Sequence, residues 1–309
     1  NHLGEFWAQF NFLLPGFLGG QKQFTKLFRT PIEKHGDQDR KRVLNQRIKP
    51  FILRRTKDKI AKELPAKTEI IQKLRIEGKQ AELYESVRLA MDVRLKDVIA
   101  SKGLKRSQIE ILDALLKLRQ VCNHPQLLSL KGAKNINQSA KLDYLMETLP
   151  EQIDEGRKVL IFSQFTSMLS LIEAELIDEG IDFVKLTGST TNRQAVVDKF
   201  QQGEVPVFLI SLKAGGVGLN LTAADTVIHF DPWWNPAVEN QATDRAHRIG
   251  QDKPIFVYKL IIENSIEEKI QQIQKNKAAL ANALLSEEVS DTKLSLTDDV
   301  LTSLLSPLN

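Results

Sequence analysis

The sequence predicts an α/β protein built on a doubly wound parallel sheet, with a mainly helical region before it and one long helix after it. Three observations carry this reading. Between Val159 and Ile262, five short apolar runs alternate with segments of helix length. Those runs are almost continuously apolar, as expected of strands covered on both faces. Outside this stretch, strand patterns are scarce and helical spacing dominates.

Taken in order, "GQKQFTKLFRTPIEKHGDQDRKRVLNQRI" reads as short helices joined by polar turns. "GKQAELYESVRLAMDVRLKDVIA" and "RSQIEILDALLKLRQVC" read as longer helices. The strands follow as "VLIFS" (159–163), "FVKLTG" (183–188), "VFLIS" (207–211), "TVIHF" (226–230) and "IFVYKLI" (255–261). Between them, 166–179, 191–202 and about 236–247 have amphipathic helical spacing, and Gly180 stands where a C-cap is expected. In "SIEEKIQQIQKNKAALANALLS", Ser265 is placed to cap a helix and Glu268 to complete a capping box. A last helix start falls at Thr297-Asp298-Asp299. "DEGR" (154–157) and "DEGI" (178–181) imitate a metal-binding acidic pair, but both sit at helix ends rather than after a buried strand, and read as C-terminal turns. These elements divide the chain into a helical part (1–135), a sheet core (136–264) and a C-terminal helix with its tail (265–309).

The 309 residues, 42% hydrophobic and 27% charged, suit a globular protein of two structural units. No apolar run approaches the roughly 18 residues of a membrane span, and no secretory signal pattern opens the sequence. A first residue of Asn rather than Met suggests a processed or cut-out chain. A lone cysteine, Cys122, excludes an internal disulfide, suggests a reducing compartment, and with His124 provides too few ligands for a metal site. The net charge is +4, unevenly spread: residues 1–79 carry 18 Lys/Arg against 8 Asp/Glu, whereas from residue 260 on the count is 4 against 8. The basic third suits nucleic acid, and equally a solvated surface.

In a doubly wound sheet, ligands bind at the carboxyl ends of the strands. Gln164, "TGST" (187–190) and "SLKAGGVGLNL" (211–221) follow three of the predicted strands. Their hydroxyls, amides and glycine-exposed N–H groups suit an anionic ligand read through its backbone. In "DPWWNP" the two tryptophans cannot both face one side of a regular element, so one ring can anchor the loop while the other stays available. In "QATDRAHRIGQ" (241–251), Arg245 and Arg248 are three apart, which on a helix aims both guanidinium groups one way and suits a phosphate. The plainer reading, an Asp244–Arg248 surface ion pair, accounts for neither Arg245 nor His247. Yet the sequence holds no G-x-x-x-x-G-K-[ST] phosphate cradle.

"LISLKAGGVGLNLTAADTVIHFDPWWNP" followed by "ENQATDRAHRIGQ" resembles motifs V and VI of the SWI/SNF-related DNA translocases, within the superfamily-two helicase-like ATPases. "KVLIFSQF" resembles motif IV, and "LTGSTTNRQ" the DNA-contacting segment after it, where Asp-Gly-Ser-Thr is commoner. "IKPFILRRTKDKIAKELPAK", "LRQVCNHPQLL" and "NHLGEFWAQFNFLLPGFLG" resemble further blocks, so the likeness runs over nearly the whole chain.

The resemblance implies a RecA-like second lobe with its helical protrusions, and a C-terminal helix bracing the first lobe. It implies arginine fingers at Arg245 and Arg248, and nucleotide-side positions at Gln241, Gly218, Asn220 and Asp225. It places Gln164, Gly188, Ser189, Thr190, Ser211, Lys213, Ala214 and Gly215 along a DNA backbone track, and Trp234 against the minor groove. Arg54 and Arg55 fall in the inter-lobe segment. The implied partners are double-stranded DNA, the first lobe and DNA-bound proteins, for a monomer with no membrane. ATP and Mg2+ are the implied cofactors, held mainly by the first lobe, so this chain alone is expected not to hydrolyse ATP. The location is nucleoid-associated cytoplasm in a prokaryote, favoured by the short connections, or the nucleus in a eukaryote. Two other classes remain open: a stand-alone DNA-binding module, and a protein-interaction platform built on the basic region.

Overall fold

The computed structural model describes residues 3–53, 64–214, 218–233, 235–284 and 298–308, leaving aside the side chains of 34, 105, 276–284 and 298–300. The chain divides into two compact units, Asn1–Lys62 and Glu63–Asn309.

The first unit is helical, as predicted. Helix α1 (Leu3–Leu13), a turn at Gln21–Phe24, a π-helical turn at Thr25–Arg29, α2 (Thr30–His35) and α3 (Gln38–Ile48) follow one another. Its core is largely aromatic: Phe10, Phe24 and Phe28 are buried with Leu18, Leu44 and Ile48. Trp7 closes one side by donating its indole N–H to the Gly19 carbonyl (2.9 Å), and Asp37 caps α3 by accepting from the Arg40 N–H (2.9 Å).

The second unit carries a six-stranded, all-parallel sheet. Its strands are β1 (Lys67–Leu74), β2 (Val159–Ser163), β3 (Phe183–Leu186), β4 (Val207–Ser211), β5 (Thr226–His229) and β6 (Ile255–Ile262), in the order β1-β6-β5-β2-β4-β3. Five were predicted. The sixth, β1, lies outside Val159–Ile262, in the part of the chain where strand patterns are scarce. Lys67 pairs with Ile255 and the ladder continues to Leu74 with Ile262. "KTEIIQKL" was illegible as a strand because it lies on the sheet edge, where Lys67, Glu69 and Lys73 are exposed and no apolar run or clean alternation marks it. The sheet therefore reaches back well before residue 136.

Helices cover both faces. Val159 and Ile161 point to one, against α6 (Ala140–Asp154) and α7 (Thr166–Asp178). Leu160 and Phe162 point to the other, against α8 (Arg193–Gln201), the end of α9 (Pro236–Thr243) at Ala242, and Ala246 just beyond it. Alternate residues bury in opposite layers, which is why β2 had to be apolar throughout. The "DEGR" and "DEGI" sequences do end helices: Asp154 and Asp178 close α6 and α7, and Gly156 (φ 78°) and Gly180 (φ 69°) take the left-handed turn that follows.

A further core joins α4 (Gly78–Lys102) and α5 (Gln108–Asn123) to α10 (Ile266–Leu284) and α11 (Asp298–Leu304) through Leu95, Ile111, Leu118, Ile266 and Leu304. Ser265 caps α10 by accepting from the Glu267 N–H (3.1 Å). Glu268 reaches the Asn264 N–H (2.7 Å) rather than that of Ser265, because Asn264 takes a left-handed conformation (φ 56°). Cys122 is a buried free thiol on α5, its pKa pushed up by burial.

One polar contact ties these layers together. The Lys141 ammonium, fully buried, donates to Asn123 Oδ1 (3.0 Å), the Phe230 carbonyl (2.9 Å) and Glu267 Oε1 (2.8 Å). Glu267 Oε2 in turn accepts from the Ile262 N–H (3.1 Å). Removing one partner of such a buried pair strands the other charge. Lys141→Met is therefore expected to destabilise the second unit by about 3–5 kcal/mol, and the double change Lys141→Met with Glu267→Gln to recover part of that loss, measured by urea unfolding.

Candidate functional site

Because every strand is parallel, the carboxyl ends of β2, β3, β4 and β5 open along one edge, with Ser163 and Ser211 directly paired. After β3, the Thr187 N–H donates to Thr190 Oγ1 (3.0 Å) and the hydroxyls of Thr187 and Ser189 hydrogen-bond (2.9 Å), leaving Gly188 and Ser189 exposed. After β4, Ser211 and Ala214 are buried, and Ser211 Oγ accepts from the Ala214 N–H (3.4 Å); Lys213 is exposed. Of the predicted backbone-reading positions, Gly188, Ser189 and Lys213 thus reach solvent, whereas the Ser211 hydroxyl is engaged inside its loop. Gly215 and Trp234, with Arg54 and Arg55, lie outside the described residues.

The β2 and β5 loops are joined. The Gln164 N–H donates to Asp231 Oδ2 (3.0 Å). Arg119, only 2% exposed, reaches over from α5: its Nη1 donates to Gln164 Oε1 (3.2 Å), its Nη2 to the Pro232 carbonyl, and its guanidinium lies 5.9 Å from the centre of the Trp233 ring. Glu239 on α9 accepts from the Trp233 N–H (2.6 Å) and pairs with Lys259 on β6 (3.0 Å). Lys259 titrates above its ordinary range because Glu239 and Glu69 outweigh the penalty of burial. Sequence reasoning missed Arg119, Glu239 and Lys259. The signal for Arg119 was an arginine at core-facing spacing, four residues after Leu115 and three before Cys122.

The arginines occupy a different local structure from the one expected. Helix α9 ends at Thr243, so Arg245 and Arg248 stand in the turns beyond it rather than on the helix. Past Thr243 the ladder tightens into i→i−3 turns, Arg245 N–H to Ala242 (3.2 Å) and Ala246 N–H to Thr243 (3.0 Å), and tertiary bonds hold those turns: the Arg245 carbonyl accepts from the Leu221 N–H (3.0 Å), and the Ala246 carbonyl from Gln251 Nε2 (3.2 Å). Arg248 Nη1 donates to the Leu219 carbonyl (3.3 Å). Both arginines are thereby brought against the 218–221 segment, where Gly218 and Asn220 are exposed. Gln241 is exposed on the last turn of α9. His247, which the sequence left unexplained, hydrogen-bonds through Nε2 to the Pro65 carbonyl (2.9 Å), immediately before β1.

Asp225 lies at the opposite, amino-terminal edge of the sheet. Its Oδ1 accepts from the Lys158 N–H (3.3 Å) and the Thr226 hydroxyl (3.0 Å), and Lys253 stands 3.9 Å from Oδ2. It fixes the start of β2 and β5. Among the described residues, no group of three or more His, Cys, Asp or Glu side chains is placed to hold a metal ion, and no helix is long and apolar enough to cross a membrane.

With this geometry in hand, comparison identifies the class. Residues 140–250 match the helicase conserved C-terminal domain, and residues 1–127 the SNF2-related domain. The six-stranded parallel sheet with flanking helices is that of a RecA-like helicase C-terminal lobe. More narrowly, the chain belongs to the SWI2/SNF2 family. It is similar, at 34% identity and a TM-score of 0.56, to the Sulfolobus solfataricus SWI2/SNF2 ATPase C-terminal domain, covering 78% of this chain and 94% of that one. The S. solfataricus SWI2/SNF2 ATPase core in complex with dsDNA matches at 36% identity and a TM-score of 0.65, over 97% of this chain and 63% of that one. The putative ATP-dependent helicase/translocase YwqA of Bacillus subtilis is 40% identical over 302 residues, 96% of this chain and 32% of that protein. The chain spans about a third or less of the length of the curated relatives it matches.

Two buried groups at the end of β5 give a pH signature. Burial pushes the His229 imidazole down from 6.5 to about 4, against the opposing charge of Glu239. Burial pushes the Asp231 carboxyl up from 3.8 to about 6, against the pull of Arg119. Between pH 4 and 6.5 the unfolded chain binds the His229 proton and the folded chain does not, so this group makes stability fall on acidification. Between pH 3.8 and 6 the folded chain binds the Asp231 proton and the unfolded chain does not, so this group makes stability fall as pH rises. The two slopes oppose each other. Asp231→Asn is expected to unmask the His229 slope, with stability falling from pH 6 to 4.5 by up to about 1.4 kcal/mol per pH unit, and His229→Asn to unmask the reverse slope. Urea midpoints measured across that range read both.

Proposed function

We propose that the chain is the second lobe of an ATP-dependent double-stranded DNA translocase that remodels protein–DNA complexes. The observation that carries this reading is the Arg248 guanidinium bonded to the Leu219 carbonyl between the exposed Gly218 and Asn220, with the backbone of Arg245 tied to neighbouring Leu221, in a chain with no phosphate cradle of its own. Arg248 gives one N–H to Leu219 and retains further donors for an anion. A guanidinium held in this way suits charge developing on the oxygens of a transferring γ-phosphoryl group, and such a finger contributes on the order of 10³–10⁵ in rate. Its own hydrogen bond to the backbone limits the reorientation needed when the nucleotide, bound by another lobe, closes against it.

In this proposal Mg2+ is held mainly by the lobe that cradles the nucleotide. Gln241, Gly218 and Asn220 complete the nucleotide-facing surface in this proposal, and Asp225 supports it from the far edge of the sheet. The DNA track is the carboxyl edge: Gly188, Ser189, Thr190 and Lys213 meet one strand through phosphate and sugar, with Ser211 and Ala214 shaping the adjoining loop; the assignments of Gly215 to the track and Trp234 to the minor groove rest on the resemblance alone. Gln164 joins the track through the loop it shares with Asp231. Such contacts position the duplex and are blind to sequence, as translocation requires.

In the protein carrying both lobes, Arg248→Ala is expected to lower ATP turnover by about 10³-fold or more while leaving duplex affinity within about twofold, measured by steady-state phosphate release and fluorescence anisotropy. Equal loss of both would contradict this division of roles. The 309-residue chain alone is expected to turn over no ATP and to restore DNA-stimulated turnover when mixed with the separate first lobe. DNA binding without that restoration would favour a stand-alone binding module.

A further inference from the structure

We infer that Arg119 is a positioning residue for the DNA track, orienting the Gln164 amide so that its NH2 group is the one offered to a duplex phosphate, and fixing that loop to Pro232–Trp233. The inference rests on the reading of the carboxyl edge as the track.

A guanidinium only donates hydrogen bonds, so the Gln164 group facing Arg119 Nη1 at 3.2 Å has to be the carbonyl oxygen, Oε1. The amide NH2 must then point elsewhere. Gln164 Nε2 is buried and has no hydrogen-bond partner among the described residues. A buried amide donor left without an acceptor is rare in a folded protein, and marks a place where a ligand supplies one. A phosphate oxygen seated between the β2 and β5 loops has the required chemistry. Without Arg119, the amide is free to turn over and present its oxygen, which a phosphate repels.

The same guanidinium holds the second loop through the Pro232 carbonyl and lies over Trp233, while the Gln164 N–H and Asp231 Oδ2 close the ring at 3.0 Å. The two loops are thereby joined into one surface. Arg119 also offsets the Asp231 carboxylate, which would otherwise oppose an approaching phosphate. Arg119 itself is buried on α5. It acts through Gln164 and Pro232.

The test measures binding of a short fluorescently labelled duplex to the 309-residue chain at several salt concentrations, for Arg119→Lys, Gln164→Ala, Gln164→Glu, Arg119→Lys with Gln164→Ala, and Lys213→Ala. Arg119→Lys is expected to weaken affinity about threefold to tenfold with the salt slope unchanged, whereas loss of a direct phosphate contact at Lys213 lowers the slope by about 0.9. Gln164→Glu, which keeps an acceptor for Arg119 but removes the donor, is expected to bind more weakly than Gln164→Ala. The double variant is expected to bind no more weakly than Gln164→Ala alone. Wild-type affinity in Arg119→Lys, a lowered slope in that variant, or additive losses in the double variant would overturn the inference. Should Arg119→Lys fail to fold, the order of Gln164→Glu and Gln164→Ala, both of which keep Arg119, decides the matter. Absence of duplex binding by the wild-type chain at low salt would instead reject the track reading on which the inference rests.

Discussion

The buried ammonium of Lys141 is the contact on which the second unit depends. Its three donors are used in three directions: the end of α5 at Asn123, the end of β5 at Phe230, and the start of α10 at Glu267. Each partner is a terminus rather than the middle of an element, where backbone direction is least constrained by secondary structure. The ion pair is screened from water on both sides, so its geometry has to be met in full or the charges become a liability. Phe230 immediately precedes Asp231, Pro232 and Trp233. The loop that shapes the carboxyl edge therefore leaves the sheet from a point held by Lys141.

A second consequence of this arrangement is that the site is divided between layers. Strand ends supply Gln164 and the 187–190 and 211–214 loops, while the helical pair α4–α5 supplies Arg119 from above. The arginine turn relies on neither. It is fixed by carbonyls at 219, 245 and 246 that have left regular secondary structure to bond across the chain. The geometry there comes from irregular backbone held by tertiary hydrogen bonds, a common way of aiming polar groups that no helix or strand would point together.

Much of this was legible in the residues. Strands β2 to β6 announced themselves because burial on both faces leaves no room for polar alternation, and α7, α8 and α10 because their apolar spacing is helical. β1 was not legible, since an edge strand with Lys67, Glu69 and Lys73 on it looks like a solvated segment until its partner is known. The end of α9 was hidden for another reason. Nothing local stops "QATDRAHR" from being helical, and the residues whose tertiary bonds hold the turns after Thr243, Leu221 and Gln251, are not spaced to reveal them. The motifs pointed to the loops at the carboxyl edge, whereas Arg119, which bonds to Gln164 and Pro232 in two of them, showed only as an oddity in a buried helix face.

The pairing of β1 with β6 joins residue 67 to residue 255. On a ribosome adding about 5–20 residues per second, β1 emerges roughly 10–40 s before the strand it must lie beside. During that interval it is an unpaired extended segment with open N–H and C=O groups, the template from which aggregation starts. Charges at alternate positions keep such a segment soluble while it waits. The side chains that concealed β1 from a reading of the sequence are thus the ones that let it survive its own synthesis.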